Sequence, residues 1–206
     1  MENMNTKEIW NRYHTVHTSL NYPEKFKFIS RELLNLPDNS KILEIGCGRG
    51  LLLEQIKLDH PTFILKGIDF SKKAIEEVRK RGIPAKVGTL PSCLKKCETE
   101  WDAIVGTELL EHLEEDKRLE TIQNIYKILA HKGKAIFSVP DNVLPHSEEA
   151  LHLVCYTQKT FKDFLSMVFP VTGVVSREFL VSDIPHPDPK RQWGNCPFLF
   201  GTGYKL

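Results

Sequence analysis

Three groups of residues in this sequence have types and spacings that could do chemistry. The first is Gly46-Cys47-Gly48-Arg49-Gly50, between the apolar run KILEIG (41–46) and the run that opens with Leu51. Glycines at a strand-to-helix junction permit a tight turn and let a ligand approach the backbone closely. The helix start beyond them offers N–H groups with no partner inside the helix. A dinucleotide fingerprint needs G-x-G-x-x-G. Here the third glycine comes one residue early and Leu51 follows it, which argues against a nicotinamide or flavin. The second group is Asp69, at the end of the next apolar run. Its two carboxylate oxygens suit the paired hydroxyls of a ribose. Turn and acid together read as adenosine bound at the carboxyl ends of parallel strands. The third group is Glu108, Glu111 and His112, at i, i+3 and i+4, which share a face if this stretch is helical. Adding His152 makes a two-carboxylate, two-histidine set of the kind that binds a divalent metal. Histidine is also the usual general base near neutral pH.

The elements that must position these residues alternate along the chain. Strands are expected at KILEIG (41–46), FILKGIDF (63–70), AKVGTL (85–90), WDAIVGT (101–107) and HKGKAIFSVP (131–140). Helices are expected between them: RGLLLEQIKL (49–58), a segment capped by Ser71 that ends near Gly82, and residues 116–130 with Leu119, Ile122, Ile125, Tyr126 and Leu129 inward. Upstream, residues 7–15 carry Ile9, Trp10 and Tyr13 at helical spacing. A second helix starts at Pro23 with Phe26, Ile29, Leu33 and Leu34 on one face. Thr157 caps a late helix with Phe161, Phe164, Leu165 and Val168. Two strand-like runs, 171–179 and 197–206, finish the chain with no helix between them, so they should be antiparallel neighbours. The fold class is therefore α/β: a doubly wound, mostly parallel sheet covered by helices on both faces.

Composition narrows the function classes. The 206 residues make one domain the default. Lys+Arg total 28 and Asp+Glu 27, a net charge of +1, which disfavours a nucleic-acid partner. With 41% apolar and 27% charged residues the chain reads as globular rather than disordered. No apolar run is long enough to span a membrane and the first residues lack a signal-peptide core. The cysteines, 5 in number, are scattered and form no CxxC. A disulfide framework and a structural zinc are disfavoured, and a reducing cytoplasm is the expected compartment.

The motifs taken together resemble the class I S-adenosylmethionine-dependent methyltransferases. LEIGCGRG matches their E/D-x-G-x-G-x-G turn at Glu44, Gly46, Gly48 and Gly50, and GIDFS matches the strand with the ribose-binding acid at Asp69. WDAIVGTELLEHL (101–113) and LAHKGKAIFSVPDN (129–142) resemble the family's fourth- and fifth-strand motifs. Two departures stand out: Gly88-Thr89 where the family has Gly-Asp, and His131-Lys132-Gly133-Lys134 in place of Pro-Gly-Gly. The resemblance implies a Rossmann-like, seven-stranded, mostly parallel sheet with the last strand antiparallel, in one domain over 1–206. Residues 1–40 would be a helical cap, 41–142 the cofactor core, and 143–206 the substrate-side segment with the last strands.

It further implies S-adenosyl-L-methionine as cofactor and S-adenosyl-L-homocysteine as product. The expected cofactor residues are Glu44, Gly46, Cys47, Gly48, Gly50, Asp69, Phe70, Thr89, Leu90, Glu108 and Tyr13. Cys47 reads as a small apolar residue of the turn rather than a nucleophile. The candidate catalytic residues are His112 and His152; without a metal, His112 is either a base or a structural hydrogen-bond partner. The acceptor implied is a small molecule, with the protein a monomer or dimer and no membrane partner. The E-x-x-E-H run with a later histidine also resembles small-RNA 3′-terminal 2′-O-methyltransferases, in which Glu108, Glu111, His112 and His152 would hold a metal. The same pattern occurs in metal-free small-molecule methyltransferases, and the expectation here is no metal. A third alternative is a non-catalytic module that only binds adenosyl ligands. Trp10, Tyr13, His14 and His17 would form a lid or a core-packing helix. His146 and the loop 183–193 would lie on the substrate side or in solvent.

Overall fold

Apolar side chains leave both faces of the central strands, so the sheet must be covered twice. A computed structural model describes residues 23–95, 97, 100–141, 152–180 and 195–206. They run α1 (Pro23–Arg31), β1 (Lys41–Ile45), α2 (Leu51–Asp59), β2 (Ile64–Asp69), α3 (Lys72–Lys80), β3 (Ala85–Val87) and β4 (Trp101–Thr107). After a 3-10 turn at Leu110–His112 come α4 (Glu115–Ile128), β5 (Leu129–Pro140), α5 (Gln158–Ser166), β6 (Val171–Leu180) and β7 (Asn195–Tyr204). The expected helix at 7–15, the loop 183–193, Tyr13 and His146 lie outside the described residues.

The 7-stranded sheet has the order β3-β2-β1-β4-β5-β7-β6. β3, β2, β1, β4 and β5 pair in parallel, and β7 is antiparallel to both β5 and β6. The strand order reverses between β1 and β4, which is where a doubly wound sheet opens a crevice at its carboxyl edge. Alternation along each strand sorts side chains between two cores. Ile42, Ala103, Val105, Ile136, Phe198 and Phe200 pack with Ile29 of α1, Leu52, Leu53 and Ile56 of α2, and Ile75 and Val78 of α3. Leu43, Ile45, Ile104, Ala135, Phe137 and Leu199 pack with Ile122 and Ile125 of α4 and Phe161 and Leu165 of α5. Seven strands, helices on both faces and antiparallel last strands agree with the sequence reading.

The helix boundaries follow local chemistry. Ser71 caps α3, its Oγ accepting from the Ala74 N–H. Thr157 caps α5 in a reciprocal box with Thr160. α2 starts at Leu51 rather than Arg49 because Gly50 stands left-handed at φ 78. The fourth helix ends at Ile128; Leu129 is extended at ψ 141 and opens β5 instead of continuing the helical face. β3 ends at Val87, three residues short of the expected strand end. α1 stops at Arg31, so Leu34 leaves the expected apolar face and is 65% exposed. Lys25 is buried on α1 instead.

Candidate functional site

The carboxyl ends of β1, β2 and β4 meet at the strand-order reversal, and the glycine turn lies there. Gly46, Gly48 and Gly50 take φ values of 65, 49 and 78, a region that residues with a Cβ seldom adopt. Space adds to the requirement: a Cβ on Gly46 would lie 2.9 Å from Leu109 Cδ1, and one on Gly50 2.9 Å from Val78 Cγ2. The turn is tied back to the sheet by Cys47 N–H donating to the Ile68 carbonyl at 3.1 Å.

Asp69, 5% exposed, joins the turn to the next helix. Its Oδ2 accepts from Gly48 N–H at 2.9 Å, and its Oδ1 from Ser71 N–H at 2.8 Å. A carboxylate has about four lone-pair positions. Each oxygen therefore keeps one for a ligand hydroxyl, and the two backbone bonds fix the orientation. The strand ends beside it follow: Gly88 N–H donates to the Asp69 carbonyl at 2.8 Å. Thr89, exposed, and Leu90, half-buried, follow that bond, and half-buried Phe70 follows Asp69.

Glu44, 2% exposed, lies under the turn. The Leu53 N–H in the first turn of α2 bonds to its carboxyl, but burial and the nearby Asp69 charge push its pKa well above the usual range. Burial, together with the negative charge of Glu44 and Asp69, raises the Cys47 thiol as well. A protonated thiol packed against Gly67 is no nucleophile, as the sequence suggested.

The β4 exit builds the other half. Glu108 is not on a helical face with Glu111 and His112. It stands left-handed at φ 48, before the 3-10 turn begins. Its Oε1 accepts from Ser138 Oγ at 2.8 Å and pairs with Lys25 Nζ at 2.8 Å. The four-residue metal set therefore does not assemble, because Glu108 is directed to Lys25. Glu111, His112 and His152 do converge: one ligand atom from each lies within 4.8 Å of the others. Glu111 is 1% exposed, and His112 Nε2 is 3.6 Å from its Oε1. The two imidazole centroids are 4.8 Å apart. Leu153 N–H donates to the Glu111 carbonyl at 2.7 Å, which carries His152 to the turn. Tyr156 packs behind them with its hydroxyl pKa pushed up by burial to about 12. Chemically, the cluster can accept a proton on an imidazole or offer a cation one oxygen and two nitrogen donors.

Lys25 and Ser138 escaped sequence reasoning. Ser138 carried a signal, since a hydroxyl inside Ile136-Phe137-Ser138-Val139 needs a partner once buried. Lys25 carried none, because its partner is 83 residues away.

A family model described as a methyltransferase domain matches residues 18–193. A carboxy-S-adenosyl-L-methionine synthase of Campylobacter curvus is 28% identical over 124 residues, 57% of this chain and 52% of that protein. The chain thus spans about half the length of the curated relatives it matches. Among solved structures, the N-methyltransferase NodS of Bradyrhizobium japonicum WM9, in complex with S-adenosyl-L-homocysteine, superposes with a TM-score of 0.64 at 20% identity, covering 88% of this chain and 86% of that one. The methyltransferase domain of bacterial CtHen1-CN matches with a TM-score of 0.64 at 18% identity, covering 89% and 98%.

Proposed function

The chain belongs to the methyltransferase-domain family, and on that premise we propose that it moves a methyl group from S-adenosyl-L-methionine to a small-molecule acceptor. The carrying observation is the Asp69 carboxylate, fixed by Gly48 and Ser71 N–H beside three left-handed glycines. That arrangement fits a ribose, with the adenine along Phe70, Thr89 and Leu90 and the amino-acid end along the turn. NodS, of the same fold, holds the demethylated product. The reaction needs in-line approach of an acceptor O, N, S or C atom to the methyl carbon, so positioning supplies much of the acceleration. To His112 and His152, whose ring centroids are 4.8 Å apart, this reading assigns removal of the proton from a protonated acceptor. Calorimetric titration with S-adenosyl-L-homocysteine in chelator tests the reading. Micromolar binding supports it; no binding rejects it.

A second reading is favoured by the convergence of Glu111, His112 and His152. In it the cluster holds a divalent metal and the acceptor is the 2′-hydroxyl at an RNA 3′ end. It requires that Mn²⁺ stimulate methyl transfer to an RNA oligonucleotide and that His152→Ala remove the stimulation. Equal activity in chelator rejects it.

A further inference from the structure

We propose that Lys25 is a positioning residue of the methyl-donor cleft. Its ammonium holds the Glu108 carboxylate in place and offsets its charge. It thereby sets how strongly the cleft prefers the cationic donor over the neutral product. The proposal rests on the donor reading above.

Lys25 is 1% exposed on the inner face of α1. Taking an ammonium out of water is costly unless it is paired. Here the pair is Glu108 Oε1 at 2.8 Å, and the Phe198 ring centroid lies 3.9 Å from the same nitrogen. Glu108 is held from other directions too. Ser138 Oγ donates to the same oxygen at 2.8 Å, and Glu108 N–H donates to the Ser138 carbonyl at 2.9 Å. These contacts keep a non-glycine residue at φ 48, a conformation that persists only where its surroundings over-determine it.

The position gives the pair its meaning. Glu108 is the first residue after β4, and the next residue, Leu109, closes on Gly46 of the donor turn. Despite its partners, the Glu108 side chain is 29% exposed. Among the described residues, both hydrogen bonds to its carboxylate fall on Oε1. S-adenosyl-L-methionine carries a sulfonium, an ammonium and a carboxylate, for a net charge of one positive unit. S-adenosyl-L-homocysteine lacks the sulfonium and is neutral. A fixed charge at the cleft therefore acts on the difference between the two ligands. Asp69 already supplies a carboxylate there, and Lys25 balances that of Glu108.

The test is the ratio of Kd for product to Kd for donor, by calorimetry at about pH 8. In Lys25→Met the unbalanced Glu108 should raise this ratio on the order of tenfold, as expected for one unit charge several ångströms away at moderate dielectric. Glu108→Gln, which leaves the ammonium in place, should lower it by a similar factor. The double variant should return it close to the wild-type ratio, and Lys25→Arg should keep it. A purely structural role for Lys25 predicts equal weakening of both ligands; an unchanged ratio in Lys25→Met overturns the proposal. Should Lys25→Met fail to fold, Glu108→Gln decides alone, and an unmoved ratio there is equally fatal. Wild-type protein that binds neither ligand would instead reject the donor reading, and this inference with it.

Discussion

The two halves of the cleft are built by different means. On the β1–β2 side, position is fixed by backbone. Three glycines adopt φ values of 49 to 78, and one aspartate is held by two N–H groups within 21 residues of sequence. On the β4 side, position is fixed by side chains brought from far apart. Glu108 meets Lys25 across 83 residues and Ser138 across 30, while His112 meets His152 across the length of α4 and β5. The contrast teaches a division of labour. One half is set by local backbone bonds and glycine conformations, the other by side chains that meet only across the fold.

The sharpest break in this comparison comes from His112→Ala. If the β4 side does the proton chemistry, turnover should fall by about 10² to 10⁴, while product affinity stays within about threefold. Equal losses in both would merge the two halves into one. Next in size is Asp69→Ala, expected to weaken S-adenosyl-L-homocysteine about 100-fold by calorimetry, the worth of two hydrogen bonds to a charged group. Retained affinity would mean that the backbone side holds no ribose.

A moderate effect is expected from Gly50→Ala. The left-handed backbone and the Val78 methyl 2.9 Å away should cost about 1–3 kcal/mol. In a domain of this size that lowers the melting temperature by roughly 2–4 °C per kcal/mol. An unshifted melt would show that the turn tolerates a side chain. Thr157→Ala probes the support of the β4 side, where losing one helix cap should cost about 1 kcal/mol. Binding of the donor product should be unaffected.

The subtlest effect is a change with pH. The fold holds Glu44 above its ordinary value of 4.5, through burial first and Asp69 second. Its neutral form is therefore the one the fold favours. The stability it contributes is full below about pH 4.5 and is lost as pH rises through the raised value. Glu44→Gln avoids that loss, so its melting temperature should gain on wild type between about pH 5 and pH 8. A gap that stays constant across that range would place the Glu44 charge outside the stability of the turn.

Much of the β1–β2 side was legible in the residues themselves. Glycine at 46, 48 and 50 announces φ values that other residues avoid, and Asp69 follows at the end of the next strand. Helix starts at Ser71 and Thr157 were equally readable, because a cap is a contact between a residue and its third successor. The β4 side was only half legible. Its residue types were visible, but the spacing of Glu108, Glu111 and His112 suggested one helical face. A 3-10 turn preceded by a left-handed residue splits them. Leu34 misled in the same way, since the end of α1 at Arg31 turns it away from the core.

The sequence alone determined the order of elements, the doubly wound class and the place of the glycine turn. Those follow from periodicity, capping and glycine conformations, which act over a few residues. Only the tertiary structure decided that β7 inserts between β5 and β6, that Glu111, His112 and His152 converge, and that Lys25 reaches Glu108. Each of these joins groups far apart in the chain. Such contacts depend on how packed sheets and helices bring distant surfaces together, and no local pattern encodes which side chains will face each other there.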